Sequence, residues 1–377
     1  MFEHEREKMA SSSISWAKVA TYAGAFIAFL IGSGFATGQE VMQYFTAYGY
    51  SGILGILVVF GLFLYVGREF VLIGNKQQFE NGGQIYHYLC GSWIGRFFDY
   101  FSILFIYMSF IVMIGGTGAT VEQQYGVTPW IGACAMGLVV AITVILGLDK
   151  ILDILGKVGP AIVVLTIVLG LWAMAKNPEG LGNVNAVLPQ LDLMTASSNW
   201  FFAATSYVGF CMLWLAGFMS LMGKSATNIK EVTRGAALGA FGFSLALAII
   251  ALGLMANLET IAGSMVPTLK LAGTIHPLFA TVFSVIVLAG IYTTAVPLLW
   301  QASARFNDGK SITFKITTVA LTVIGVFVGL KVPFDQLVNV IYVVNGYVGI
   351  ILLLFMVINT IKRSRGPQVV RLKSSAH

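Results

Sequence analysis

Ile31-Gly32-Ser33-Gly34-Phe35-Ala36-Thr37-Gly38 lies in the middle of an apolar run extending from about residue 17 to about residue 46. Crossing about 30 Å of hydrocarbon takes roughly 20 residues as a helix, so the run is long enough to span a bilayer. Yet it has three glycines within seven positions at its centre. Each glycine costs a helix interior about 1 kcal/mol relative to alanine, and in lipid every freed backbone group must find another partner. The stretch predicts either a helix broken at mid-membrane or a small-residue face for close packing. Gln39 and Glu40 follow at once and favour the break, because polar groups at that depth mark a site. In a broken helix, the amides opening the second half suit a carboxylate, and the carbonyls closing the first half suit a cation.

The rest of the chain agrees with a membrane setting. Of its 377 residues, 57% are hydrophobic and only 10% charged, with a mean hydropathy of +0.85. Soluble domains carry about 25% charged residues, which excludes a water-soluble fold of this size. Cys90, Cys134 and Cys211 form no disulfide or metal spacing, and His4, His87, His276 and His377 are scattered. No organic cofactor, zinc or haem site is expected. Residues 1–15 lack the basic start, apolar core and small-residue exit of a cleaved signal, so the first apolar run reads as a retained span.

Spans are predicted at about 17–46, 50–72, 97–121, 128–148, 151–175, 199–222, 234–257, 275–304, 312–330 and 334–361. With both termini cytoplasmic, nineteen Lys and Arg fall in inner loops and tails. Only Lys176, Lys270 and Lys331 fall outside. The net charge of +6 therefore reflects orientation and lipid headgroups rather than nucleic acid, and the basic tail from Lys362 to Lys373 is read the same way. A bacterial inner membrane is the expected location. The longest outer loop divides the chain into a cytoplasmic tail (1–16), a first five-helix repeat (17–176), an extracellular loop (177–198), a second five-helix repeat (199–361) and a second tail (362–377). Because five is odd, the second repeat enters the membrane inverted, as in many secondary transporters.

Two further segments carry polar groups at depth. Thr205-Ser206-Tyr207-Val208-Gly209-Phe210-Cys211 places a glycine and hydroxyls in span 6, the counterpart of span 1, and predicts a second interruption there. In span 8, Thr293 and Thr294 precede Pro297, which frees the Thr293 carbonyl from its helical bond. Hydroxyl and carbonyl oxygens together suit a hard cation, although the hydroxyls can also bond back into their own helix.

In these three segments the chain resembles transporters of the leucine-transporter (LeuT) fold, and within them it is most similar to the YkvI-type membrane proteins. The resemblance covers residues 17–361 and implies an all-α membrane fold of ten helices, a five-plus-five inverted repeat with helices 1 and 6 discontinuous. It implies a sodium site made by the carbonyls of Gly32, Phe35 and Ala289 and the hydroxyls of Thr293 and Thr294. It also implies a substrate site made by Ser33, Gly34, Phe35, Ala36, Gln39, Glu40, Tyr107, Ser206, Tyr207 and Gly209, with Tyr107 closing over the substrate. A second sodium site is not expected, because Gln39 and Ala203 stand where that site has polar ligands of other types. One coupling ion, Na⁺, is the expectation.

Glu40 departs from the resemblance, which leads one to expect a hydrophobic residue there. It can receive a substrate ammonium, take up a coupled proton or bond to a span 10 residue such as Asn345. Lys157 in span 5 offers a rival, since a lysine there replaces sodium in some proton-coupled relatives, but near a membrane edge it also snorkels. Loop acids such as Glu69, Asp99, Asp149, Asp153 and Asp192 read as solvated or paired. The expected function is a sodium-coupled symporter of a small amino acid or related carboxylate or amine. A proton-coupled transporter using Glu40 and a non-transporting sensor are the alternatives. No pattern for an enzyme is present, and the oligomeric state is not legible.

Overall fold

The apolar runs form helices. A computed structural model describes residues 14–147, 152–305 and 311–365, and among these there is no strand. The first span consists of α1 (Trp16–Leu30), α2 (Ser33–Thr37) and α3 (Gln39–Tyr44). The next four helices are α4 (Tyr50–Gln77), α5 (Gln84–Tyr125), α6 (Pro129–Leu146) and α7 (Leu152–Lys176). The second half has α8 (Trp200–Lys224), α9 (Ile229–Met255), the short α10 (Pro267–Ile275), α11 (Pro277–Ala304), α12 (Ile312–Lys331) and α13 (Phe334–Arg365). Eight of these are long and apolar enough to cross a membrane, and α1 and the described part of α7 are shorter apolar helices. The ten predicted spans are thus accounted for, the first of them in pieces.

Side chains at the helix starts satisfy the orphan amides. Asn199 caps α8 by accepting from the Phe201 and Phe202 amides, each at 3.0 Å. Asn228 caps α9, Ser311 caps α12, and His276 with Pro277 opens α11. Large apolar side chains such as Leu57, Val323, Phe327 and Ile351 point outward, as a lipid-facing surface requires.

Two features differ from the sequence reading. α5 begins thirteen residues earlier than predicted and bends at Gly91, whose φ of 77° is open to glycine at little cost. Its first turns hold because Tyr86 is buried and donates to the Leu213 carbonyl at 2.9 Å. The predicted interruption of span 6 is absent: α8 is one continuous helix. Its glycines serve close packing instead. A methyl at Gly209 would overlap the Gly346 carbonyl of α13, and one at Gly223 would overlap the Val71 carbonyl of α4.

The two ends of the bundle are held by different groups. At one end, which carries both Ser15 and Arg363, Glu231 accepts from the Ser15 amide at 2.8 Å and pairs with Lys18 at 3.8 Å. There too Glu69 pairs with Arg363, and Asp99 pairs with Arg305 at 2.6 Å. The side chains of Asp149, Lys150, Asp153, Lys157 and Lys310, and the tail beyond Arg365, lie outside the described residues.

At the opposite end, neutral amides form a chain from helix to helix. Asn339 donates to Gln43 Oε1 at 3.1 Å, Gln43 to Gln39 Oε1 at 3.1 Å, and Gln39 to the Ser264 carbonyl at 2.8 Å. Ser264 Oγ donates to Gln123 Oε1 at 2.9 Å, and Gln123 donates to the Val266 carbonyl at 2.8 Å.

Candidate functional site

The site begins at the break. Ile31 ends α1 in an extended conformation (φ −86°, ψ 107°), and Gly32, also extended, opens α2. Six residues later Gly38 adopts φ 84°, ends α2 and lets α3 start in a new direction. The break is therefore double, at Ile31–Gly32 and at Gly38. Neighbouring helices take up the freed groups: Thr268 Oγ1 donates to the Ala36 carbonyl at 2.8 Å.

On the side of the first half, Thr294 Oγ1 lies 3.1 Å from both the Ile31 and the Gly290 carbonyls. Thr293 Oγ1 lies 2.9 Å from the Gly290 carbonyl. The Thr294–Ile31 bond joins α11 to α1, and the two bonds to Gly290 are back-bonds within α11. The hydroxyls are those of the predicted set, but the carbonyls they meet are Ile31 and Gly290 rather than Gly32, Phe35 and Ala289. The Gly32 carbonyl accepts from the Ala36 amide at 3.0 Å and the Phe35 carbonyl from Gly38 at 3.1 Å, so both are held in helical turns. The cap geometry explains the difference: Ile31 closes one helix and turns its carbonyl outward, whereas Gly32 is already the first acceptor of the next. Ala289 contributes no described contact to this group.

On the side of the second half, side chains of the protein already lie over the amides. The Ser33 amide donates to Met113 Sδ at 3.3 Å. The Glu40 side chain folds back over Gly34, where a methyl would overlap its Cγ, Cδ and Oε1, and the Phe35 amide faces its carboxylate. Glu40 is 1% exposed. Tyr207 donates to its Oε2 at 3.4 Å, while Oε1 has no hydrogen-bonding partner. The titratable groups around it are Tyr44, Tyr207, Cys211 and Tyr342, none of them a cation.

Aromatic rings enclose this carboxylate. Tyr44 meets Tyr207 edge-on at 5.3 Å, Tyr207 meets Phe210 at 5.0 Å, and Phe210 stacks on Tyr342 at 4.8 Å. Trp214 closes the group, edge-on to Tyr342 at 5.6 Å. Several polar atoms here are buried and unpartnered: Ser33 Oγ, Tyr44 OH, Tyr342 OH and, one turn further along α13, Asn345 Oδ1. Asn345 donates its amide to the Ile341 carbonyl and does not bond Glu40.

Two cavities approach the site from opposite ends. One of about 340 Å³ is lined by Ile31, Gly32, Trp214, Thr293, Thr294 and Gln301, among others, and runs from the break towards the end bearing the termini. The other, about 420 Å³, lies outside the amide chain and is lined by Gln39, Gln43, Asp192, Ser264 and Asp335.

Of the residues predicted from sequence, Ser33, Gly34, Phe35, Glu40 and Tyr207 come together, and Thr293 and Thr294 sit beside them. Others lie elsewhere. Tyr107 donates to the Leu321 carbonyl of α12 at 2.9 Å and packs on Phe110. Ser206 Oγ bonds back to the Ala203 carbonyl at 3.0 Å, and Gly209 faces α13. Gln39 belongs to the amide chain, and Ala36 offers its carbonyl to Thr268. Tyr44, Trp214, Met113 and Tyr342 were not expected. Tyr44 was the most accessible of these to sequence reasoning, since it lies one helical turn after Glu40.

Comparison with known proteins bears on the fold. No protein-family model matches the chain. Among curated proteins, it is 22% identical to the uncharacterized membrane protein YkvI of Bacillus subtilis over 353 residues, 92% of this chain and 95% of that one. It is 26% identical to the uncharacterized protein YyaD of the same organism over 281 residues, 73% of this chain and 78% of that one.

Among solved structures, inward-facing Mhp1 aligns with a TM-score of 0.62 and 15% identity, over 95% of this chain and 80% of that one. MhsT in complex with L-phenylalanine aligns with a TM-score of 0.61 and 15% identity, over 93% and 92%. A manganese transporter of Eremococcus coleocola aligns with a TM-score of 0.57 and 12% identity, over 91% and 78%. The chain has the LeuT-type membrane fold of these proteins.

Proposed function

We propose that the chain is a secondary active transporter working by alternating access, a sodium-coupled symporter of a small amino acid or related carboxylate or amine. The observation that carries the reading is the freed Ile31 carbonyl meeting the Thr294 hydroxyl, with Thr293 and Gly290 beside it, along a cavity that runs towards the end bearing the termini. Such a set suits a small hard cation, whose binding would replace the hydroxyl-to-carbonyl bonds and draw α1 and α11 together. With both termini in the cytoplasm of a bacterial cell, this conformation is open inward and closed outward by the amide chain. Cargo then sits at the break of the first span, against Ser33, Gly34, Phe35, Glu40 and Tyr207. No bond of the cargo changes, so the fold serves only to bind, occlude and release.

Uptake into proteoliposomes tests this. An inward sodium gradient should drive accumulation of a radiolabelled cargo that a potassium gradient does not, and Thr294→Ala should abolish the difference. Uptake that ignores sodium and survives Thr294→Ala would remove the sodium assignment. The unpartnered Oε1 of buried Glu40 favours one second reading, proton coupling through that carboxyl. Acid-stimulated uptake lost in Glu40→Gln, with no sodium dependence, would establish it instead.

A further inference from the structure

The arrangement around Glu40 bears on which class of cargo the central site accepts. An ionised carboxylate alone in an apolar interior is among the least favourable arrangements a protein can make, so a buried one meets either a proton or a cation. The surrounding titratable groups are three tyrosines and a cysteine, which offer no positive charge. The neutralising partner therefore comes from outside the protein. A proton needs one lone pair and nothing more. The site has more than that: an unpartnered Tyr44 hydroxyl, the Ser33 and Tyr342 hydroxyls near each other, and a cluster of rings formed by Tyr44, Tyr207, Phe210, Tyr342 and Trp214.

An alkylammonium group has three N–H donors to place and a charge that aromatic faces attract. A small hard metal ion would use the carboxylate and hydroxyl oxygens but would gain nothing from the rings. A cargo carboxylate finds its natural seat taken, because Met113 and Glu40 already lie over the amides of Ser33 to Phe35. The inner cavity reaches as far as Trp214, whose ring borders Tyr342.

Resting on the transporter reading above, we propose that the cargo is a small organic amine without a carboxylate of its own, bound as its ammonium with Glu40 as the counter-ion. Ser33 and Tyr342 hydroxyls accept from the remaining N–H groups, and the rings cover the hydrocarbon.

The test is a binding series on the purified full-length protein, by thermal shift and titration calorimetry in sodium and in potassium buffer. It uses two matched trios: propylamine, 2-aminobutyrate and butyrate, and phenethylamine, phenylalanine and 3-phenylpropionate. The amine of at least one trio should bind more tightly than its amino acid and its acid. Glu40→Gln should weaken that amine by about thirtyfold or more, since truncating one partner of a desolvated charge pair is costly. Tyr342→Phe, which keeps the ring, should weaken it by about three- to tenfold. Retained stabilisation by sodium in both variants establishes that they are folded.

Tighter binding of an amino acid or acid, amine binding that survives Glu40→Gln, or no amine binding at all would overturn the proposal. Amine binding that depends on Glu40 but produces no flux in proteoliposomes would uphold it and overturn transport instead.

Discussion

In α1–α3 the helix is interrupted at Ile31–Gly32 and again at Gly38, and Thr294, Met113 and Thr268 take up the freed groups. In α8, its counterpart in the second half, no bond is given up, and Gly209 is covered by the backbone of α13. Both segments carry glycines near mid-span, so glycine content alone does not distinguish a break from a contact. What distinguishes them is the neighbour. A hydroxyl or thioether at the right depth gives a freed backbone group somewhere to go, whereas another glycine lets two intact helices touch.

Breaking this contrast has its largest expected effect at Gly209. Gly209→Val would drive a branched side chain into the Gly346 backbone and should cost about 4 kcal/mol or more, seen as loss of monodisperse protein after detergent extraction. If the variant folds normally, α8 is not held by that contact and the contrast fails. Gly34→Ala should be milder for the fold, about 2 kcal/mol, because its clash is with a side chain. It should nevertheless abolish ligand-dependent stabilisation, since it displaces the Glu40 carboxylate; unchanged ligand response would mean that Glu40 does not act from that position.

Thr294→Val tests the other face of the break. Loss of its hydroxyl should lower stability by about 1 kcal/mol and remove any sodium-dependent rise in melting temperature. Persistence of that rise would place the ion elsewhere. The smallest effect is expected at Tyr107→Phe: at most about 1 kcal/mol, read by thermal melting, with no change in ligand affinity, because the hydroxyl serves α12. A clear fall in affinity would restore Tyr107 to the site.

Hydropathy and glycine spacing made the helices and the first break legible, since both are local properties of the chain. The register of the oxygens around Thr294 was not, because it depends on which residue closes α1 and which opens α2. That is set by backbone geometry at Ile31 and Gly32, not by residue type. The aromatic enclosure was also hidden. Tyr44, Phe210, Trp214 and Tyr342 come from three helices, and each alone reads as ordinary packing. Glu40 stood out early for its chemistry, yet its fold-back over Gly34 appears only when α2 and α3 are seen as separate pieces joined at Gly38.

The chemistry that holds the two ends of the bundle also determines how each responds to its medium. Ion pairs such as Lys18 with Glu231 and Arg305 with Asp99 weaken as salt screens them, and the exposed ones most. Hydrogen bonds between neutral amides, like those linking Asn339, Gln43, Gln39 and Gln123, carry no such dependence. Raising the ionic strength should therefore leave the amide-linked end closed. The same change should loosen the ion-paired end, where the bonds are between opposite charges.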